Sequence, residues 1–156
     1  MIREKIKSLA HRLMAQERSP HKLALTCCLG AFIGISPIIG GHTAMTFLFG
    51  WLLRLSIPAV FMISTLINNP WTMIFVYSLD HFFGKCLFAL CKINHTQWEP
   101  SWMSSLSGFL EHHTGIAGLS LSAFLVGGNL LAFGISVMLY IPMKKIFQRV
   151  VSHKKR

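Results

Sequence analysis

The chain has 156 residues, of which 53% are hydrophobic and 13% charged, with a mean hydropathy of +0.53. A soluble globule carries about 25% charged residues, so this composition argues against a water-soluble fold, while the length suits a single domain. The net charge is +10 with only five acids, which disfavours paired-carboxylate catalysis. The basic residues gather at the two ends, where anionic lipid is a better partner than nucleic acid.

Residues 1–21 predict a basic amphipathic helix. Ile2, Ile6, Leu9 and Leu13 recur at helical spacing, with Lys and Arg on the other side. Such a helix either lies on an anionic leaflet or packs on the rest of the domain. Ser19-Pro20 ends it and opens the next helix. No cleavable signal peptide is expected, and the first apolar segment is expected to serve as an uncleaved signal.

Residues 23–53, 55–79 and 114–143 contain no Asp, Glu, Lys or Arg. A membrane helix needs about 20 apolar residues, so each run is long enough to cross or to enter and turn back. Two short polar knots interrupt the first two runs. One covers residues 36–43, from Ser36-Pro37 through Gly40-Gly41 to His42-Thr43; the other covers 68–72, Asn68-Asn69-Pro70-Trp71-Thr72. Pro stops a helix, and Gly permits turns that other residues resist. Backbone freed from a helix inside lipid must lie buried in protein or line a wet cavity. Gly30 and Gly34 form a small-xxx-small pair that lets another helix approach.

The expected order is then a hairpin or re-entrant pair at 22–39 and 42–57, a short entering segment at 58–69, an outward crossing at 71–91 and a return at 116–141. Residues 92–115 are expected to form a polar external connection, with Trp98 and Trp102 at the interface. Pro142 and a basic tail, 144–156, lead back to the cytoplasm. The fold class is thus an all-α membrane protein. It has about four transmembrane or re-entrant helices over 22–143, an N-terminal amphipathic helix, and both termini cytoplasmic by the positive-inside rule.

The succession Gly30-Ala31-Phe32-Ile33-Gly34-Ile35-Ser36-Pro37, then Gly40-Gly41-His42-Thr43, then Asn68-Asn69-Pro70-Trp71-Thr72 with Gly84 beyond, carries a resemblance. It resembles the bacterial membrane family known as domain of unknown function family 2062, over most of the chain. The resemblance implies a small integral membrane domain of the bacterial inner membrane. It hands over no activity and no catalytic residue.

The residues able to carry chemistry are few. Broken helices point free amide or carbonyl ends at a shared site, and a helix N-terminus favours anions such as phosphate. Ser36, His42, Thr43, Asn68, Asn69 and Thr72 in the knots are the candidate binding groups. Arg54 is a candidate phosphate clamp or a topological anchor. Asp80, within an apolar crossing, is a candidate ion-coupling group, because a charge there costs about 2.5–3.5 kcal/mol on insertion scales. The alternative is that these groups only satisfy one another. Glu111, His112 and His113 lack a third ligand, so no metal site and no cofactor is expected. Cys27, Cys28, Cys86 and Cys91 read as small apolar residues.

Enzyme signatures are absent from the sequence, and no enzymatic activity is expected. The leading expectation is binding or translocation of an anionic, lipid-phosphate-like substrate by an oligomer or with a membrane partner. The rival is a scaffold or assembly factor that holds a partner through its glycine faces.

Overall fold

The computed structural model describes residues 19–38, 40–92, 100–114 and 120–154, and their regular structure is all helical. Residues 1–18 of the expected amphipathic helix lie outside the described residues, while Pro20 and His21, its last two, open the next helix instead. Six helices follow among those described: α1 (Pro20–Ile35), α2 (His42–Leu52), α3 (Ile57–Ile67), α4 (Pro70–Leu90), α5 (Ser101–Thr114) and α6 (Leu121–Lys154).

Proline sets most of the boundaries. Pro20 occupies the first turn of α1 after an extended Ser19. At the other end, Pro37 pushes Ser36 to φ −55°, ψ 130° and closes α1. Gly40, at φ +80°, makes the turn that follows. Arg54 takes a left-handed φ of 52° between α2 and α3, and Pro58 then sits in the first turn of α3. The second break is only Asn68-Asn69. Asn69 is extended at φ −100°, ψ 146° because Pro70 follows it, and Pro70, Trp71 and Thr72 already belong to α4.

α6 is the spine. Its first part packs on α4 and its later part on α1, while α3 packs on α1 and α2 bridges the two. α1 and α6 run antiparallel. His21 Nδ1 lies 2.7 Å from the Tyr140 hydroxyl, and Ser36 Oγ donates to Asn129 Oδ1 at 2.9 Å. Small buried clusters join the helices: Leu23 and Ala24 of α1 with Ala59 of α3 and Phe147 of α6, and Ile33 with Leu55 and Val60.

Glycine faces allow the closest approaches. A Cβ on Gly30 would sit 2.7 Å from Ile63, and one on Gly34 would sit 2.9 Å from Ile67 and from the Ser64 carbonyl. The α1 pair therefore does what its spacing predicts, with α3 as the partner. The α4–α6 crossing is tighter still: a Cβ on Gly84 would run into the Ala123 carbonyl, and one on Gly127 into the Gly84 backbone.

Two helices, Pro70–Leu90 and Leu121–Ser152 of α6, are long and apolar enough to cross a membrane. Only 17% and 22% of their most apolar windows are buried, which sets them apart from the core helices of a soluble globule. Their outer faces present Trp71, Phe75, Leu90 and Met138, each more than three-quarters exposed. Of the about four helices expected to cross or to re-enter, two are thus long enough to cross. α1 has 16 residues, and α2 and α3 have 11 each; at about 1.5 Å per residue none reaches the roughly 30 Å of a hydrocarbon core.

Two further expectations change. The connection predicted as a loop contains α5, whose Trp102, Leu106 and Phe109 recur at helical spacing. The tail predicted after Pro142 is not separate, since α6 runs through Pro142 to Lys154; one proline removes a single helical hydrogen bond, and the flanking turns continue.

The crossing at Gly84 makes a direct prediction. Gly84→Val or Gly127→Val should cost at least about 1–3 kcal/mol by overpacking, read as loss of the folded species in detergent unfolding. Gly134→Ala, where nothing lies within 4 Å, should instead raise stability by up to about 1 kcal/mol.

Candidate functional site

The two helix breaks meet. The C-terminal ends of α1 and α3 lie side by side through Gly34, Ser64 and Ile67, which brings Ser36 and Asn68 to the same end of the bundle. His42, opening α2, sits between them. Its Nε2 is 3.1 Å from the Ser36 carbonyl and 3.0 Å from Asn68 Nδ2. That nitrogen either donates to the Ser36 carbonyl or accepts from Asn68, so the position of one proton decides which break the ring is tied to. A small cavity of about 100 Å³ lies here, lined by His42, Phe61, Ser64, Thr65 and Asn68.

α6 supplies the other side. Ser36 is fully buried and its hydroxyl donates to Asn129 Oδ1, while Asn129 Nδ2 donates to the Leu125 carbonyl at 2.8 Å. One residue earlier, the backbone of Gly128 takes contact from two directions. A Cβ there would lie 2.6 Å from Pro37 Cγ and 2.9 Å from Asp80 Cγ. Pro37 of the first break and Asp80 of α4 thus rest on the same glycine.

Asp80 is the group that needs explaining. It is 0% exposed, and among the described residues neither carboxylate oxygen meets a hydrogen-bond partner. Burying such a group without a partner costs roughly 1–3 kcal/mol, and more when charged. Tyr77 is close by, one turn earlier on α4. Its ring packs edge-on against Phe124 at 5.3 Å, and its hydroxyl lies near Asn68 without meeting hydrogen-bonding geometry. The junction lies inside the apolar part of α6, about 10 Å of helix from Leu121 and about 24 Å from Lys144.

The remaining sequence-predicted residues are placed differently. Asn69 and Thr72 cap α4: the Asn69 N–H donates to Thr72 Oγ1 at 3.1 Å, and Thr72 Oγ1 donates to the Ile67 carbonyl. Their hydrogen-bonding capacity is spent on the helix start. Thr43 is exposed on the first turn of α2. Arg54 stands at the opposite end of α1, where its carbonyl accepts from Lys22 Nζ at 3.4 Å. That is about 21 Å of helix from Ser36, so Arg54 does not join the junction. The short α2 returns the chain to the level where α1 began, and this separates Arg54 from both knots. Of the residues weighed for metal, the side chains of Glu111 and His113 lie outside the described residues.

A family described as an uncharacterized protein conserved in bacteria, domain of unknown function 2062, matches residues 3–156. The chain belongs to this family. No curated protein and no solved structure matches the chain.

Four contributors to the junction were not among the predicted site residues: Pro37, Tyr77, Gly128 and Asn129. The signal for the last two was present as Gly127-Gly128-Asn129, a polar and flexible triplet inside an apolar helix. Nothing local distinguishes Tyr77 from an interfacial aromatic.

The Ser36–Asn129 link between α1 and α6 is testable by a double-mutant cycle. Ser36→Ala with Asn129→Ala should give a coupling of about 0.5–2 kcal/mol in detergent unfolding. The same cycle with Thr43→Ala in place of Ser36→Ala should give none.

Proposed function

We propose that this protein is a multi-pass domain of the bacterial inner membrane that binds or moves an anionic substrate of the lipid-phosphate type. In this reading α4 and α6 cross the bilayer, α1 to α3 enter from the cytoplasmic side and turn back, and both termini stay cytoplasmic. The single observation that carries it is the meeting of both helix breaks with Gly128 and Asn129 around the buried Asp80, which has no partner among the described residues.

The physical argument runs through polarity. Helix ends and a carboxylate are expensive in lipid, and a purely structural joint would have closed its hydrogen bonds. Among the described residues no side chain caps the start of α2, so its first amides are available to an anion. An ionised Asp80 would repel that anion. The two are compatible when Asp80 carries a proton or a cation, so loading of Asp80 and binding of the anion favour each other. That linkage is a coupling device for uptake or export, and it assigns Asp80 the ion and the α2 terminus the anion. Basic residues at both ends of the chain suit an anionic cytoplasmic leaflet.

The test is reconstitution in liposomes with headgroup-labelled phosphatidate and phosphatidylglycerol, followed by chemical quenching of the outer leaflet. Wild type should move label about tenfold or more faster than empty vesicles, and Asp80→Asn should fall to the empty-vesicle rate. Asp80→Asn should also raise the thermal midpoint in detergent, because it removes a buried unpaired charge. If Asp80→Asn and Asn129→Ala match wild type while Gly30 and Gly34 substitutions alone abolish cellular function, the scaffold reading replaces this one.

A further inference from the structure

On the basic side of the junction, an apolar groove of about 580 Å³ opens between α1, α2 and α6, within the size range of ligand pockets. Leu25 and Phe32 of α1, Leu53 after α2, and Phe133, Ser136 and Tyr140 of α6 line it. It runs lengthwise along the helices: Leu25 to Phe32 and Phe133 to Tyr140 each cover about 10 Å. Its inner end stops one helical turn short of the junction, at Phe32 before Ser36 and Phe133 after Asn129.

Its outer end is basic. Lys22 stands one turn before Leu25 and reaches the Arg54 carbonyl, and Arg54 directly follows Leu53. The Lys144 ammonium lies 5.8 Å over the Tyr140 ring, and His21 contacts the Tyr140 hydroxyl. Asp80, the one acid whose side chain is described, is buried at the far end. Among the described residues the three cations therefore have no carboxylate facing them. One turn inward from Tyr140, the Ser136 hydroxyl is buried on the groove wall with no partner among those residues.

We propose that this groove seats an acyl chain of an anionic phospholipid, with its phosphate in the collar of Lys22, Arg54 and Lys144. The walls match a hydrocarbon chain and reject a headgroup. Ser136 lies one turn inside the collar, the depth at which a glycerol ester carbonyl would accept its hydrogen bond. Bilayer tails are as apolar as the groove, so the chain gains shape complementarity there and little transfer energy. Discrimination between lipids consequently falls on the collar, at about 1 kcal/mol per basic residue near the surface. The inference shares with the proposed function its placement of the chain in a bilayer and its class of ligand; it does not require transport.

The experiment uses the full chain, extracted in mild detergent from vesicles holding equal phosphatidylglycerol and phosphatidylcholine with matched acyl chains. Native mass spectrometry then counts the lipid retained. Wild type should retain phosphatidylglycerol over phosphatidylcholine by about tenfold. Lys22→Gln with Arg54→Gln should bring that ratio near one while lipid is still retained. Ser136→Trp, which fills the groove, should retain neither, with circular dichroism confirming its helices. The liposome rate of Asp80→Asn reads the junction and not the groove, so this inference and the transport reading can fail separately. A wild-type ratio near one overturns the inference, as does an unchanged ratio in the charge-neutralised variant. A Cys28 cross-link to residues 1–18 in place of retained lipid also overturns it, by assigning the groove to the chain's own N-terminal segment.

Discussion

The absence of side chains along one short stretch of α6 is what the rest of the structure depends on. Gly127 lets the α4 backbone come into direct contact at Gly84, and Gly128 receives both Pro37 and Asp80. Any side chain there would push α4 and the end of α1 apart. The consequence is geometric: α1, which ends at the first break, and α4, which follows the second, are brought to one place on α6. Asn129, next in sequence, then ties α1 to α6 through Ser36. Packing and polarity are thus set by three consecutive residues.

The fold is built from interruptions as much as from helices. Pro37, Pro58 and Pro70 each open or close a helix, and the three segments between residues 20 and 67 are too short to cross a bilayer on their own. Short helices leave their terminal amides and carbonyls near one another. The cap of Asn69 and Thr72 resolves this at the start of α4, whereas the start of α2 has no such side chain and Asp80 has no partner among the described residues. Among the described residues, unpartnered polarity thus gathers at the junction, with the Ser136 hydroxyl apart from it on the groove wall.

Charge is divided along the long axis. The described carboxylate is buried at the junction, while Lys22, Arg54 and Lys144 stand together at the other end of α1, with an apolar groove between the two regions. The carboxylate and the basic cluster lie about 20 Å of helix apart. Such a separation keeps a basic surface from neutralising Asp80 directly.

Much of this was legible in the chain itself. Uncharged runs longer than a bilayer crossing, prolines inside them, and the Gly30–Gly34 spacing dictated apolar helices, their breaks and one tight packing face, because these follow from local sterics and from transfer energy. Ser36, His42, Asn68 and Asp80 could be singled out because polar groups in apolar sequence are costly wherever they end up. Partnership was not legible. That Asn69 and Thr72 satisfy a helix start, that Arg54 stands at the opposite end from the knots, and that Asn129, Gly128 and Tyr77 join the junction all depend on how the short α2 and α3 fold back on α1. Side-chain periodicity records which face of a helix is apolar, not which distant helix it meets, so only the tertiary packing on α6 could decide those neighbours.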